Sequence, residues 1–214
     1  MLIVSLTGGI ATGKSVVAQI LKELGCYILK ADLVAHQLMA PFEPAWKHII
    51  DHFGPTILKS DNTINRAKLG SIVFSDREER LFLNNLLHPL VFKEKEKEII
   101  KLKNEGLYKI FISEAALTVE AGYAQFFDKI IITHCQINVQ MKRLMKRDGI
   151  DRTEAEKKIK SQMPSEQKLD YADYSIDTSG TLEETIDQSE QVFRILMSDY
   201  EQKYSHHNDK KQKI

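Results

Sequence analysis

At 214 residues, 43% hydrophobic and 28% charged, the chain is long enough to bury a full core and to form one domain with a small subdomain. Its 30 Lys+Arg balance 30 Asp+Glu, and a formal net charge of zero removes the basic field that draws proteins onto nucleic acid or anionic lipid. No apolar run approaches the roughly 20 residues of a membrane span, and residues 1–6 lead into glycines and Lys14 rather than into a signal cleavage site. Neither nucleic acid nor membrane is therefore an expected partner, and a cytoplasmic location is expected. Cys26 and Cys135 each sit beside an apolar run, which predicts buried free thiols in a reducing compartment.

Short β-rich runs alternate with longer helical patterns, the signature of a parallel sheet crossed by helices. The first run, 2–6, enters Gly8-Gly9-Ile10-Ala11-Thr12-Gly13-Lys14-Ser15, which matches G-x-x-x-x-G-K-[ST] between a strand and a helix. Glycines are needed there because the backbone wraps a phosphate with its N–H groups inward, at distances a side chain would block. Residues Gly9 to Val16 thus form a predicted nucleotide-phosphate loop. Lys14 reaches the β- and γ-phosphates, the Ser15 hydroxyl enters a Mg²⁺ shell, and the helix over 14–24 aims its positive end at the anion.

The second run, 26–29, is followed by Asp32, where open parallel sheets place ligand-facing residues. A carboxylate there can accept the proton of an attacking hydroxyl or orient metal-bound water; it can equally cap a helix starting near Leu33. Residues 31–106 are too long for a simple crossover and predict a helical insertion, with breaks at Pro41, Pro44, Gly54-Pro55 and Asp61-Asn62. Within it, 76–103 reads as one or two long helices interrupted near His88-Pro89. His48 and His52 lack a third ligand and read as a solvated helix face, and Trp46 reads as packing.

The third run, 108–113, ends at Glu114, which either contacts the metal or is a satisfied strand-end carboxylate; Glu120 is a weaker candidate. After the fourth run, 129–134, two helical stretches over 138–147 and 153–162 flank a polar turn and predict a mobile basic lid. Arg143 and Arg147 lie one helical turn apart and can converge on triphosphate, with Arg152 a weaker third. The fifth run, 173–177, precedes a helix over 181–203 and a polar, lysine-rich tail, 205–214, predicted to fray. No Ser-His-Asp or Cys-His constellation supports covalent catalysis, and no N-K-x-D signature supports a GTP switch.

Taken in order, Leu6-Thr7-Gly8-Gly9-Ile10 with Gly13-Lys14-Ser15, Ala31-Asp32, Ile64-Asn65-Arg66, His88-Pro89-Leu90-Val91, Gln140-Met141-Lys142-Arg143 with Arg147-Asp148, and Ala172-Asp173-Tyr174 with Ser179-Gly180 give the chain a close likeness to one family. It resembles the dephospho-coenzyme A kinases up to about Leu182. The resemblance implies an α/β P-loop kinase fold: a five-stranded parallel sheet flanked by helices, with a helical insertion and a lid. It also implies one kinase domain, made of a nucleotide core (about 1–31, 104–140 and 166–204), an acceptor-binding insertion (about 32–103) and a lid (about 141–165).

It further implies ATP as donor with Mg²⁺, and the ribose 3′-hydroxyl of dephospho-coenzyme A as acceptor. Asp32, Lys14 and Arg143 then take catalytic roles and Arg147 a nucleotide contact. Arg66, His88 and Lys93 fall in the acceptor region, where His88 can instead be a helix-breaking structural residue. The chain departs from the family pattern at Lys30 for the first Asp of Asp-Ala-Asp, at Glu114-Ala115-Ala116-Leu117 for Asp-x-Pro-Leu, at Thr178 for Asn, and at Ala11 and Val16. A nucleoside monophosphate kinase is the nearest alternative, but its acceptor is already anionic and gains nothing from a carboxylate such as Asp32.

Overall fold

In a computed structural model, which describes residues 1–211, the chain divides into two compact units: Met1–Leu29 with Lys101–Ile214, and Lys30–Ile100. The first holds the sheet. Strands β1 (Leu2–Gly8), β2 (Tyr27–Lys30), β3 (Ile110–Glu114), β4 (Lys129–His134) and β5 (Tyr174–Asp177) lie in the order β2-β3-β1-β4-β5. The pairs β1 with β3, β1 with β4 and β4 with β5 are parallel. Consecutive buried residues in β1, β3 and β4 are what a strand covered on both faces requires, and they explain the near-continuous Ile/Val/Leu runs. Leu6 pairs with Glu114, Gly8 with Thr133, and His134 with Asp177, so the register brings the carboxyl ends of β1, β3, β4 and β5 to one edge.

Helix α1 (Lys14–Glu23) buries Val17, Ala18 and Leu21 against Val4, Leu6, Ile110, Ile112 and Ile176, and Leu196 of the C-terminal helix closes this core. The expected hairpin forms as α6 (Ile137–Asp148) and α7 (Arg152–Lys160), with Gly149 turning the chain in the left-handed region. A short helix, α8 (Ser165–Leu169), follows them and is not anticipated by the sequence pattern. Helix α9 (Leu182–Lys211) continues past Ser205, where a frayed tail is expected; the last three positions of that tail lie outside the described residues. No helix among the described residues is long and apolar enough to cross a membrane.

The second unit, Lys30–Ile100, is helical. It contains α2 (Ala31–Leu38), α3 (Trp46–Phe53), α4 (Arg66–Ser75) and most of α5 (Arg77–Glu105). Its own core gathers Ala45, Ile49, Ile57, Ile64, Leu69 and Leu87, with Trp46 packed against it and the indole N–H donating to the Asn62 carbonyl at 2.9 Å. Asn65 caps α4 by accepting the Lys68 amide at 3.2 Å.

Two features differ from expectation. The helix expected to break near His88-Pro89 is continuous from Arg77 to Glu105. Pro89 removes only its own bond to the Asn85 carbonyl, at a cost of about 3 kcal/mol. Burying Leu87, with Leu83, Leu86 and Leu90 packed on the same core, offsets that loss. In addition, α2 starts at Ala31 with Lys30 in the cap position, so Asp32 lies inside the first turn and is not the cap. Its charge there favours the helix dipole but makes no capping bond.

Candidate active site

The phosphate loop leaves β1 at Gly8, whose φ of +151° and surroundings exclude a side chain: a Cβ would lie 2.3 Å from the Thr133 carbonyl oxygen. The loop closes on Gly13, left-handed at φ +82°, from which α1 begins. Thr12 is fully buried and donates to the Gly9 carbonyl at 2.8 Å, with the Thr133 hydroxyl 2.9 Å away. Ala11 is left-handed at φ +58°, a conformation that suits glycine better than alanine. Lys14 Nζ donates to the carbonyls of Gly8 at 2.9 Å and Gly9 at 2.8 Å, which folds its ammonium back over the loop's concave side. Val16 spends its amide on the Gly13 carbonyl at 3.0 Å in the first turn of α1, and its side chain is largely exposed.

The Ser15 hydroxyl donates to Glu114 Oε1 at 3.1 Å, joining the loop to the carboxyl end of β3. Glu114 Oε2 is buried without a hydrogen-bond partner among the described residues. An orphaned carboxylate oxygen beside a serine hydroxyl is the hard, anionic oxygen set that Mg²⁺ prefers, and Ser15 and Glu114 therefore fit that ion. The longer Glu114 side chain, in place of Asp, still reaches Ser15.

Arg143 and Arg147 of α6 do not converge. Arg143 is partly buried and gives Nη1 to the Thr178 hydroxyl at 2.9 Å and Nη2 to the Thr178 carbonyl at 2.7 Å. That hydroxyl in turn donates to the Thr12 carbonyl at 3.0 Å. Thr178 thus ties α6 to the phosphate loop, a role its sequence position did not suggest. Arg147 is mostly exposed and pairs with Asp148 at 2.8 Å, and Arg152 pairs with Glu156 at 3.1 Å. The Arg147 hydrogen bond is the main reason the Asp148 carboxyl is held below its ordinary pKa, and Lys158 at 2.7 Å adds to it.

Buried beside Thr178, Cys135 has its thiol pKa raised by desolvation, and burial pushes Cys26 up to about 12, so both are unreactive thiols. Glu120, weak in the sequence, turns out to pair at 2.8 Å with Lys168, a side chain with no solvent exposure that the sequence does not mark at all.

In the insertion, Arg66 is the first residue of α4 and Asp32 sits in the first turn of α2. Both act on His36, one turn beyond Asp32. Burial holds the His36 imidazole below its ordinary pKa, the Arg66 charge lowers it further, and the Asp32 carboxylate opposes. Sequence reasoning overlooked His36, although its i,i+4 spacing from Asp32 was a usable signal. His88 lies in mid-helix on α5, and burial likewise lowers its pKa, leaving it neutral near pH 7. His52 meets Glu79 at 2.6 Å and stacks on Phe82; among the described residues no three His, Cys, Asp or Glu side chains group as metal ligands.

The chain matches the family described as dephospho-CoA kinase over residues 2–184. The chain belongs to the dephospho-CoA kinase family. A dephospho-CoA kinase of Carboxydothermus hydrogenoformans is 45% identical over 194 residues, covering 91% of this chain and 92% of the relative. Among solved structures, TT1252 from Thermus thermophilus aligns with a TM-score of 0.77 at 25% identity, over 92% of this chain and 97% of its own. The dephospho-CoA kinase from Campylobacter jejuni aligns at 0.65 and 28% identity, over 91% and 96%. The five-stranded parallel sheet is thus the scaffold of a P-loop kinase of the dephospho-CoA kinase family.

Proposed function

We propose that this chain transfers the γ-phosphoryl group of ATP to the ribose 3′-hydroxyl of dephospho-coenzyme A, giving coenzyme A and ADP, the last step of coenzyme A synthesis. The observation that carries the reading is the phosphate loop of a dephospho-CoA kinase family member with Lys14 already folded over the Gly8 and Gly9 carbonyls. A phosphate entering there exchanges those two carbonyls for its own oxygens, and the loop amides and the start of α1 receive the rest of its charge. Ser15 and Glu114 would hold Mg²⁺, which supplies neutralising charge to the phosphates when bound. Lys14 follows the charge as it moves from the transferred group to the leaving ADP.

The acceptor is neutral before attack. As the new O–P bond forms and the bond to ADP breaks, the hydroxyl proton must leave, and Asp32, two residues beyond β2, is the carboxylate assigned to take it. Arg66 and His88 are assigned to the acceptor, and Arg147 to the triphosphate. The reading implies a cytoplasmic location, in keeping with the composition.

Single-turnover transfer from ATP to dephospho-coenzyme A, with nucleoside monophosphates as control acceptors, tests this. Asp32→Asn should lower transfer about 10²- to 10⁴-fold with ATP affinity unchanged. Because Asp32 does not cap α2, the amide should cost no more than the helix-dipole contribution of its charge, about 0.3–1 kcal/mol. Near-normal transfer by the variant, or faster transfer to a monophosphate by the native protein, would overturn the assignment.

A further inference from the structure

Lys168 is a charged side chain with zero exposure, held by Glu120 Oε1 at 2.8 Å and by the Ala116 carbonyl at 2.9 Å. With the ammonium buried and the Glu120 side chain 20% exposed, the cost of taking the lysine charge out of water offsets much of the attraction, so the pair adds little net stability. Its contacts show which parts of the chain it holds together. The Ala116 carbonyl also accepts the Thr7 hydroxyl at 3.2 Å, one residue before the phosphate loop. Glu120 Oε1 also accepts the amide of Met163, at 3.2 Å, in the connection between α7 and α8. The residue before Met163 is Gln162, and its Oε1 accepts the amide of Ile10 inside the loop at 2.8 Å. From the other side, Gln140 Nε2 donates to the Ile10 carbonyl at 2.8 Å.

Ile10 therefore has both its backbone groups held by glutamine side chains, directly before the left-handed Ala11. The contact is close: a Cβ on Gly9 would fall 2.9 Å from Gln140 Nε2 and 3.4 Å from Ser165 Oγ. An alanine prefers to leave the left-handed region, so the loop needs an external hold to keep its phosphate-binding shape before nucleotide arrives.

We propose that Lys168 is a positioning residue for the nucleotide: through Glu120 it seats the segment after α7 so that Gln162 clamps Ile10 and keeps the phosphate loop preformed. The inference rests on the loop being the ATP site. Preformation lowers the ordering cost that binding must meet, so its loss weakens nucleotide affinity and leaves the acceptor untouched.

The test is a double-mutant cycle read by calorimetric titration of ADP and by separate KM values for ATP and dephospho-coenzyme A. Lys168→Met and Gln162→Ala should each weaken ADP binding about tenfold and raise the KM for ATP alike. The KM for dephospho-coenzyme A should stay within about twofold. Although the two side chains act through a chain of contacts, the double variant should be no weaker than the worse single one, because both remove the same clamp. Additive losses of about a hundredfold, or undiminished ADP binding in either variant, would overturn the proposal.

Should Lys168→Met alone fail to fold for want of a partner for Glu120, Lys168→Met with Glu120→Gln removes both charges. Normal ADP binding by that folded pair would overturn the proposal equally. ATP turnover by the native protein is measured alongside, so that failure of the cycle is separated from failure of the kinase reading.

Discussion

Glu114→Gln separates a structural carboxylate from one kept for a metal. The amide oxygen can still accept the Ser15 hydroxyl, now at 3.1 Å from Oε1, while the amide nitrogen replaces an Oε2 that has no partner to lose. One orphaned polar atom is exchanged for another, so the stability of the nucleotide-free protein should change by less than about 1 kcal/mol. Metal-dependent binding should respond otherwise. Losing a partner of a metal site commonly costs about 10- to 100-fold in metal affinity, and Glu114 would be a direct ligand, which places it at the upper end. Mg-ADP at about 100 times its Kd adds about 2.7 kcal/mol to stability; a 100-fold weaker Kd leaves about 0.4 kcal/mol. For a chain of this size each kcal/mol moves Tm by about 2–4 °C, so a Mg-dependent shift of about 5–10 °C should collapse to about 1–2 °C. Thermal melts with ADP, in Mg²⁺ and in EDTA, measure it. An unreduced Mg-dependent shift in the variant would refute the assignment of Glu114 to the metal.

Two further outcomes follow from local geometry. Ala11→Gly removes the left-handed penalty at φ +58° and should raise Tm by about 2–4 °C, corresponding to about 1 kcal/mol; a lower Tm would show that the alanine is not strained. Asp148 has a folded pKa depressed below 3.8 by its bond to Arg147 and then by Lys158, so its contribution is present above that value and fades as pH falls through the folded pKa. Asp148→Asn should therefore cost about 0.5–1 kcal/mol in urea unfolding at pH 7, and the gap from the native protein should narrow below about pH 4. A gap as wide at the lowest pH where the native protein stays folded as at pH 7 would contradict the linkage.

What the sequence revealed and what it hid divide along a physical line. The five strands and the phosphate loop are legible because period, buried runs and a spacing constraint are local signals: Gly8, Gly13 and Lys14 are each required by geometry within eight residues. The continuity of α5 is not legible in the sequence because Pro89 speaks locally for a break, while the leucines that hold the helix together do so only through the core of the second unit. Lys168, Gln162 and Thr178 were hidden for a related reason. Each is polar in a polar stretch, and each acquires its role from a partner far away in sequence, Glu120, Ile10 and Arg143 respectively. Thr178 stood out only as a departure from the family pattern, and Gln140 left a trace of its own: it lies four residues before the buried Leu144, so the apolar face of α6 points it inward.

The arginines show how far spacing carries and where energetics takes over. Arg143 and Arg147 share one face of α6 by position, yet leaving their present partners has very different costs. Arg143 would give up two partly buried bonds to Thr178, and with them the link through that hydroxyl to the Thr12 carbonyl. Bonds to a charged donor are worth about 1.5–3 kcal/mol each. Arg147 would give up an ion pair whose arginine side is 56% exposed, of a kind worth at most about 1 kcal/mol. Releasing Arg147 toward a phosphate would therefore cost little, whereas moving Arg143 would break the bonds by which it braces the loop. The catalytic role that the resemblance implies for Arg143 is thus the costlier one to fulfil, because Arg143 is part of the frame that holds Thr12 and Gly13 in place.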